Sequence, residues 1–130
     1  MLRADAPDFV QFGECYFSEL AAGMVKAWKC HREQTQHLAV PVGRLHLVLF
    51  DGRDGSPTQG ALQEIMLGRP DSYLRVTIPP RIWYGFAAVG DGPALIANCP
   101  DLPHRPGECD QREHDDPFIP FRFAHSTTPA

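Results

Sequence analysis

Thirteen prolines and eleven glycines punctuate this chain of 130 residues. They recur at intervals of about ten residues, which leaves room for short strands and tight turns but not for long helices. Proline inside a helix or a central strand removes a hydrogen bond, so each one marks an end or an edge. The chain therefore reads as many short strands. Charged residues are 22% and apolar ones 43% of it, enough to bury one core, so a single domain over 1–130 is expected.

Charge excludes several functions. The net value is −4, and Lys and Arg are scattered without a run, so no dense positive field is available for nucleic acid. No apolar run reaches the roughly 18 residues that a membrane helix needs. The opening MLRADAPDFVQF lacks the apolar stretch of a secretory signal, which predicts a cytoplasmic protein with no membrane partner. Cys15, Cys30, Cys99 and Cys109 form no C-x-x-C pair and read as reduced, mostly structural thiols.

The strand pattern can be followed along the chain. Residues up to about 13 form an arm without clear period, and ECYFSEL and Met24 to Trp28 are short β-like pieces. LAVPV, Gly43 and RLHLVLF read as a hairpin entering a half-buried strand, closed by the turn-rich DGRDGSP. ALQEIMLG is taken as a strand. SYLRVTIP has the cleanest alternation, IWYGF and ALIAN follow, and PHRPGECDQREHDD is a loop before the apolar tail PFIPFRF, within a C-terminal portion of about 100–130. Eight or more strands without a helix predict an all-β domain, closed as a barrel or jelly roll to remove its edges.

Gly23 to Gly43 carries a recognisable frame. The cupin barrels have a first motif of glycine, five residues, His-x-His, three or four residues, Glu, six residues, glycine. Here the same positions hold Gly23, Lys29, Cys30, His31, Gln36 and Gly43, and the second motif's proline and last ligand correspond to Pro79 and Tyr84. The frame predicts a cupin-type double-stranded β-helix. Among Lys29, His31, Gln36 and Tyr84 only His31 is a good ligand for a borderline metal ion, so neither metal nor cofactor is expected. Lys29 and His31, two apart, share a strand face. An inward lysine needs an anionic guest or an amine of lowered pKa, because an unpaired buried charge is costly. His31 read by itself also fits a packed polar network.

Two segments resemble a known family. DGRDGSPTQG, Asp51 to Gly60, resembles the D-L-R-x-x-S-P-T-x-G signature of dTDP-4-dehydrorhamnose 3,5-epimerases, and IPPRIWYGF, Ile78 to Phe86, resembles their I-P-x-G-F-A-H-G-F segment. The resemblance runs from about Glu14 to Phe121 and is closest to short, divergent, epimerase-related cupins. It implies homodimers that work without metal on a nucleotide-linked keto-deoxysugar, using a histidine base and a tyrosine acid to invert carbons beside the keto group. The catalytic positions depart from that pattern: Lys29 stands at the base, Ala97 at the acid, and the aspartate that orients the histidine has no counterpart in these 130 residues.

Binding positions fare better. By resemblance Lys26 replaces a substrate-binding arginine, Gln34 matches a glutamine, Gln36 replaces a lysine and Tyr84 a histidine, while Arg53 and Ser56-Pro57-Thr58 match. Trp83 could stack on a sugar or base. Strict alternation would turn Lys26 and Lys29 to opposite faces, so His31 is the expected partner of Lys29, with Tyr84 as proton donor. Two functions remain open. One is an epimerase or isomerase with a rebuilt catalytic set of Lys29, His31 and Tyr84, using Lys26, Gln34, Gln36, Arg53 and Trp83 to bind a nucleotide sugar or related anionic sugar. The other is a binding cupin that has lost the chemistry.

Overall fold

The computed structural model describes residues 2–124 as two antiparallel sheets with no helix. The strands are β1 (Tyr16–Leu20), β2 (Val25–His31), β3 (Gln36–Val42), β4 (Arg44–Phe50), β5 (Leu62–Gly68), β6 (Val76–Ile78), β7 (Trp83–Val89), β8 (Ala94–Asn98) and β9 (Cys109–Gln111). One sheet runs β1-β8-β3-β6 and the other β5-β4-β7-β2-β9. This is the all-β, cupin-type jelly roll expected from the turn cadence.

Between the sheets lies the larger core. Leu38 and Val40 of β3, Leu45 and Leu47 of β4, Phe86 and Ala88 of β7 and Ile96 of β8 point into it from alternate positions. Each fully buried leucine or isoleucine there contributes roughly 1.5–3 kcal/mol. A second cluster covers the outer face of the five-stranded sheet: Val25, Trp28, Cys30, Val48, Phe50 and Trp83 lie under Ile119 and Phe123 of the tail. The apolar tail PFIPFRF thus packs onto the body.

Three expectations are corrected. LAVPV and RLHLVLF do not pair as a hairpin: β3 and β4 belong to different sheets, and the chain crosses between them at Gly43. A Cβ there would stand 2.2 Å from the Pro93 carbonyl oxygen, and φ is 80°, so only glycine fits the corner. SYLRVTIP yields just the three residues of β6, because Tyr73 and Leu74 face solvent and find no core to reward their alternation. The late polar stretch is not wholly loop, since β9 adds to the open edge of β2.

An irregularity in the five-stranded sheet positions the site. Along β2 and β7 the register runs Lys26↔Phe86 and Ala27↔Gly85, then resumes at Lys29↔Tyr84 and Cys30↔Trp83, leaving Trp28 as an extra residue. This is a β-bulge, which shifts the alternation by one. Lys26 before it and Lys29 after it consequently share the inner face, contrary to the strict alternation assumed from sequence. Gly85 makes room for the bulge: a Cβ there would meet Ala27 Cβ at 2.6 Å and the Trp28 ring at 2.9 Å.

Candidate active site

A cavity of about 880 Å³ opens between the sheets. Lys26, Lys29, Tyr84 and Phe86 line it from the five-stranded sheet, and Tyr16, Ser18, Leu38, Ile96 and Asn98 from the opposite wall. It extends round β9 to Trp28, Trp83, Arg112 and Asp116. Neither tryptophan plugs it, because both are held in the outer cluster under the tail.

Tyr84 ends a relay. Its hydroxyl lies 3.1 Å from Nε2 of His31, whose Nδ1 lies 2.7 Å from Oε1 of Glu108. Glu108 is only 5% exposed. Burial by itself would push its carboxyl up, but the His31 ring and the backbone N–H groups of Gln34 and Glu33, at 2.9 and 3.0 Å, bring it below the usual range. A carboxylate accepts only, so Nδ1 of His31 carries the proton. Nε2 of the neutral ring is then an acceptor, and the Tyr84 hydroxyl donates to it. Burial holds the Tyr84 hydroxyl well above the ordinary phenol range, so it stays protonated at neutral pH.

Two lysines line the same cavity as this tyrosine. Lys29 pairs directly across from Tyr84 on the sheet. Burial, and secondly the charge of Lys29, lower the Lys26 amine from its ordinary value. Arg112 stacks its guanidinium 4.1 Å from the Phe118 ring centroid and 5.1 Å from that of Trp83, and donates to Asp116 at 3.1 Å. Its Nε is buried without a partner. Three cationic side chains therefore border one cavity.

A buried polar ladder backs the opposite wall. Gln36, 1% exposed, donates to Oε1 of Gln34 at 3.0 Å and accepts from Asn98 Nδ2 at 2.5 Å. The same Asn98 nitrogen donates to the Tyr16 hydroxyl at 3.0 Å, which leaves the Tyr16 proton free to point into the cavity. Burial raises the Tyr16 phenol above its ordinary value, again favouring the protonated form.

Of the residues picked from sequence, Lys26, Lys29, Tyr84 and Trp83 line the cavity. His31 does not; it stands behind Tyr84. Gln34 donates to the Leu102 and Pro103 carbonyls and Gln36 to Gln34, so both are buried scaffolding one layer back. Arg53 lies off the cavity in a surface turn, donating from Nε and Nη2 to Asp51 at 2.9 and 2.8 Å. Sequence reasoning missed Glu108, Tyr16 and Arg112. Glu108 supplies the histidine-orienting carboxylate that seemed to be lacking, from a stretch read as loop. Among the described residues no three His, Cys, Asp or Glu side chains cluster so as to hold a metal ion.

Within this cupin-type jelly roll, a carboxylate–imidazole–phenol relay opens on a cationic cavity, an arrangement that can move a proton at the cavity wall. No family model matches the chain. The crystal structure of a dTDP sugar isomerase from Desulfovibrio desulfuricans is 60% identical, superposes with a TM-score of 0.91, and is matched over 93% of this chain and 77% of that one. A Haloferax volcanii protein described as a probable low-salt glycan biosynthesis epimerase is 36% identical over 107 residues, 82% of this chain. The chain spans 65% of that relative's length. The spore coat polysaccharide biosynthesis protein SpsL of Bacillus subtilis is 26% identical over 125 residues, covering 95% of this chain and 82% of its own. The Legionella pneumophila dTDP-6-deoxy-D-glucose-3,5-epimerase shares the fold at 20% identity and a TM-score of 0.79, over 92% of this chain and 65% of that one. The chain belongs to the family of the Desulfovibrio desulfuricans dTDP sugar isomerase and shares its fold with dTDP-4-dehydrorhamnose 3,5-epimerases.

Proposed function

We propose that the protein is a cytoplasmic, homodimeric isomerase or epimerase acting on a dTDP-linked 4-keto-6-deoxysugar by proton transfer at the carbon next to the keto group. The observation that carries this reading is the Glu108–His31–Tyr84 relay ending at a cavity that Lys26 and Lys29 also line. Tyr84 Oη takes the acidic proton while its own passes to His31 Nε2, and Glu108 stabilises the resulting imidazolium. Negative charge that develops on the sugar's keto oxygen faces the Lys29 and Lys26 ammonium groups. Delivery of that proton by Tyr84 to the former keto carbon, with the neighbouring hydroxyl passing its proton to the former keto oxygen, shifts the keto group along the ring. Delivery by Tyr16 from the opposite wall to the carbon that lost its proton inverts it, after which His31 releases its proton to solvent and Tyr16 regains one from solvent. Arg112 and Lys26 suit the diphosphate, and Trp83 offers a ring for stacking.

Relatives named as dTDP-sugar isomerase and epimerases support this substrate class. The test is incubation with a dTDP-linked 4-keto-6-deoxyhexose in deuterium oxide, followed by proton NMR. Loss of the signal beside the keto group, faster by at least tenfold than without protein and abolished in Tyr84→Phe, is the expected result. Tight binding of dTDP with no exchange would sink the catalytic reading and leave a binding protein.

A further inference from the structure

The β1–β8 register pairs Tyr16 with Asn98, and the Glu14 N–H donates to the Pro100 carbonyl at 3.3 Å, so the same alignment continues past the end of β1. Cys15 consequently lies directly opposite Cys99. The Cys99 N–H is turned away, donating to the His37 carbonyl on β3 at 3.0 Å, and its carbonyl accepts from His37 Nδ1 at 2.8 Å. The Cys15–Cys99 position is thus a non-hydrogen-bonded pair, the kind with Cα atoms about 4.5 Å apart, inside the range a disulfide spans. Both side chains leave the outer face of the sheet, since Asn98 between Ile96 and Cys99 points into the cavity.

From this geometry we infer that Cys15 and Cys99 form a reversible disulfide that staples the N-terminal arm and β1 to β8. The sequence reading of four structural thiols does not anticipate it. The inference rests on strand register and is independent of the proposed catalytic function.

The chemistry follows from exposure. Cys15 is exposed and Cys99 buried. Burial, and then the neighbouring Cys15 thiol, push Cys99 up to about 11, so it stays protonated and does not meet the oxidant first. Cys15 reacts with a peroxide, forming a sulfenic acid and releasing water. The Cys99 sulfur then displaces the sulfenic hydroxyl: the S–S bond forms, the S–O bond breaks, and the Cys99 proton leaves with that oxygen as a second water. Two thiols are oxidised and one peroxide is reduced to two waters. His37 stands in the same cross-strand row, fully buried, with Nε2 lacking any partner. A cellular dithiol restores the reduced form.

The staple has a local effect. It fixes the residue next to Tyr16, whose hydroxyl holds Asn98 on the cavity wall.

The experiment treats the whole chain with one to two equivalents of hydrogen peroxide, then maps peptides without reductant and follows amide hydrogen exchange. The expected outcome is a peptide pair joined through Cys15 and Cys99, loss of two of the four alkylatable thiols, and at least about tenfold slower exchange of the amides from residue 13 to 18. Dithiothreitol should reverse all three. Cys15→Ser, an exposed change that leaves the core intact, should abolish the crosslink and the protection. Oxidation of Cys15 to a sulfinic acid or an intermolecular Cys15 disulfide, with Cys99 still alkylatable after unfolding, would overturn the inference; so would a crosslink that leaves exchange unchanged.

Discussion

Nδ1 of His31 lies 2.7 Å from Oε1 of Glu108, a carboxylate 77 residues further along the chain. β9 brings the two together by pairing His31 with Cys109, so the edge strand that completes the five-stranded sheet also orients the imidazole. The same carboxylate caps the backbone after β2 through the N–H groups of Glu33 and Gln34. Orientation of the imidazole and closure of the loop thus share one side chain.

Glu108→Gln tests the charge in that relay. The amide keeps the shape but cannot stabilise an imidazolium, so kcat should fall by roughly 10²-fold while KM changes by about twofold at most. Steady-state kinetics on the keto-sugar, with dTDP binding measured separately, gives the split. An unchanged kcat would remove Glu108 from the chemistry.

Lys26 and Lys29 share the inner face because of the bulge, and both border the cavity. Replacing either with alanine should weaken dTDP binding by about tenfold at low salt, equivalent to roughly 1.4 kcal/mol. Calorimetry at several ionic strengths should also show a shallower salt dependence in each variant, since one screened charge is gone. Equal loss at all salt concentrations would assign the lysines to packing instead.

Gly85→Ala addresses the bulge. The added Cβ meets Ala27 Cβ at 2.6 Å and Trp28 at 2.9 Å, neither of which can retreat from its packed layer. A destabilisation of about 1–3 kcal/mol is expected from urea unfolding, together with weaker dTDP binding. A variant of wild-type stability would mean that the bulge relaxes freely.

Acid should loosen the turn after β4. Asp51, 5% exposed, accepts from Arg53, from Ser56 at 2.6 Å and from Thr58 at 2.5 Å, and Arg53 foremost holds its carboxyl far below the ordinary range. A folded-state pKa below the unfolded value of about 3.9 means that the folded protein binds fewer protons. Its stabilisation is therefore complete above about pH 5 and disappears as pH falls through 3.9 toward the folded value. Thermal unfolding from pH 7 to pH 2 should show this decline, and Asp51→Asn should flatten it and lower the melting temperature at pH 7.

The jelly roll was legible because turn residues and period-two patterns are local signals. β5, with Leu62, Ile65 and Leu67, and β8, with Leu95 and Ile96, lie where those signals put them. The failures are long-range. β9 contains Cys109, Asp110 and Gln111, a sequence with no strand preference, and exists only because β2 offers it an open edge. The face of Lys26 could not be read, since a bulge is specified jointly by Trp28 and by Gly85 some sixty residues away. Glu108 lay in a polar stretch where nothing distinguishes one buried carboxylate from its solvated neighbours. Arg53 matched a family signature, but that signature describes a turn, and its guanidinium is committed to Asp51.

The extra residue in β2 makes the chemistry a matter of phase as well as of letters. Straightening the strand at its full length, so that the extra residue found a partner on β7, would restore unbroken alternation and turn either Lys26 or the Lys29–His31 half out under the aromatic tail. A homologue could keep every functional residue type at the same spacing and still be mute, simply by pairing this strand without the bulge.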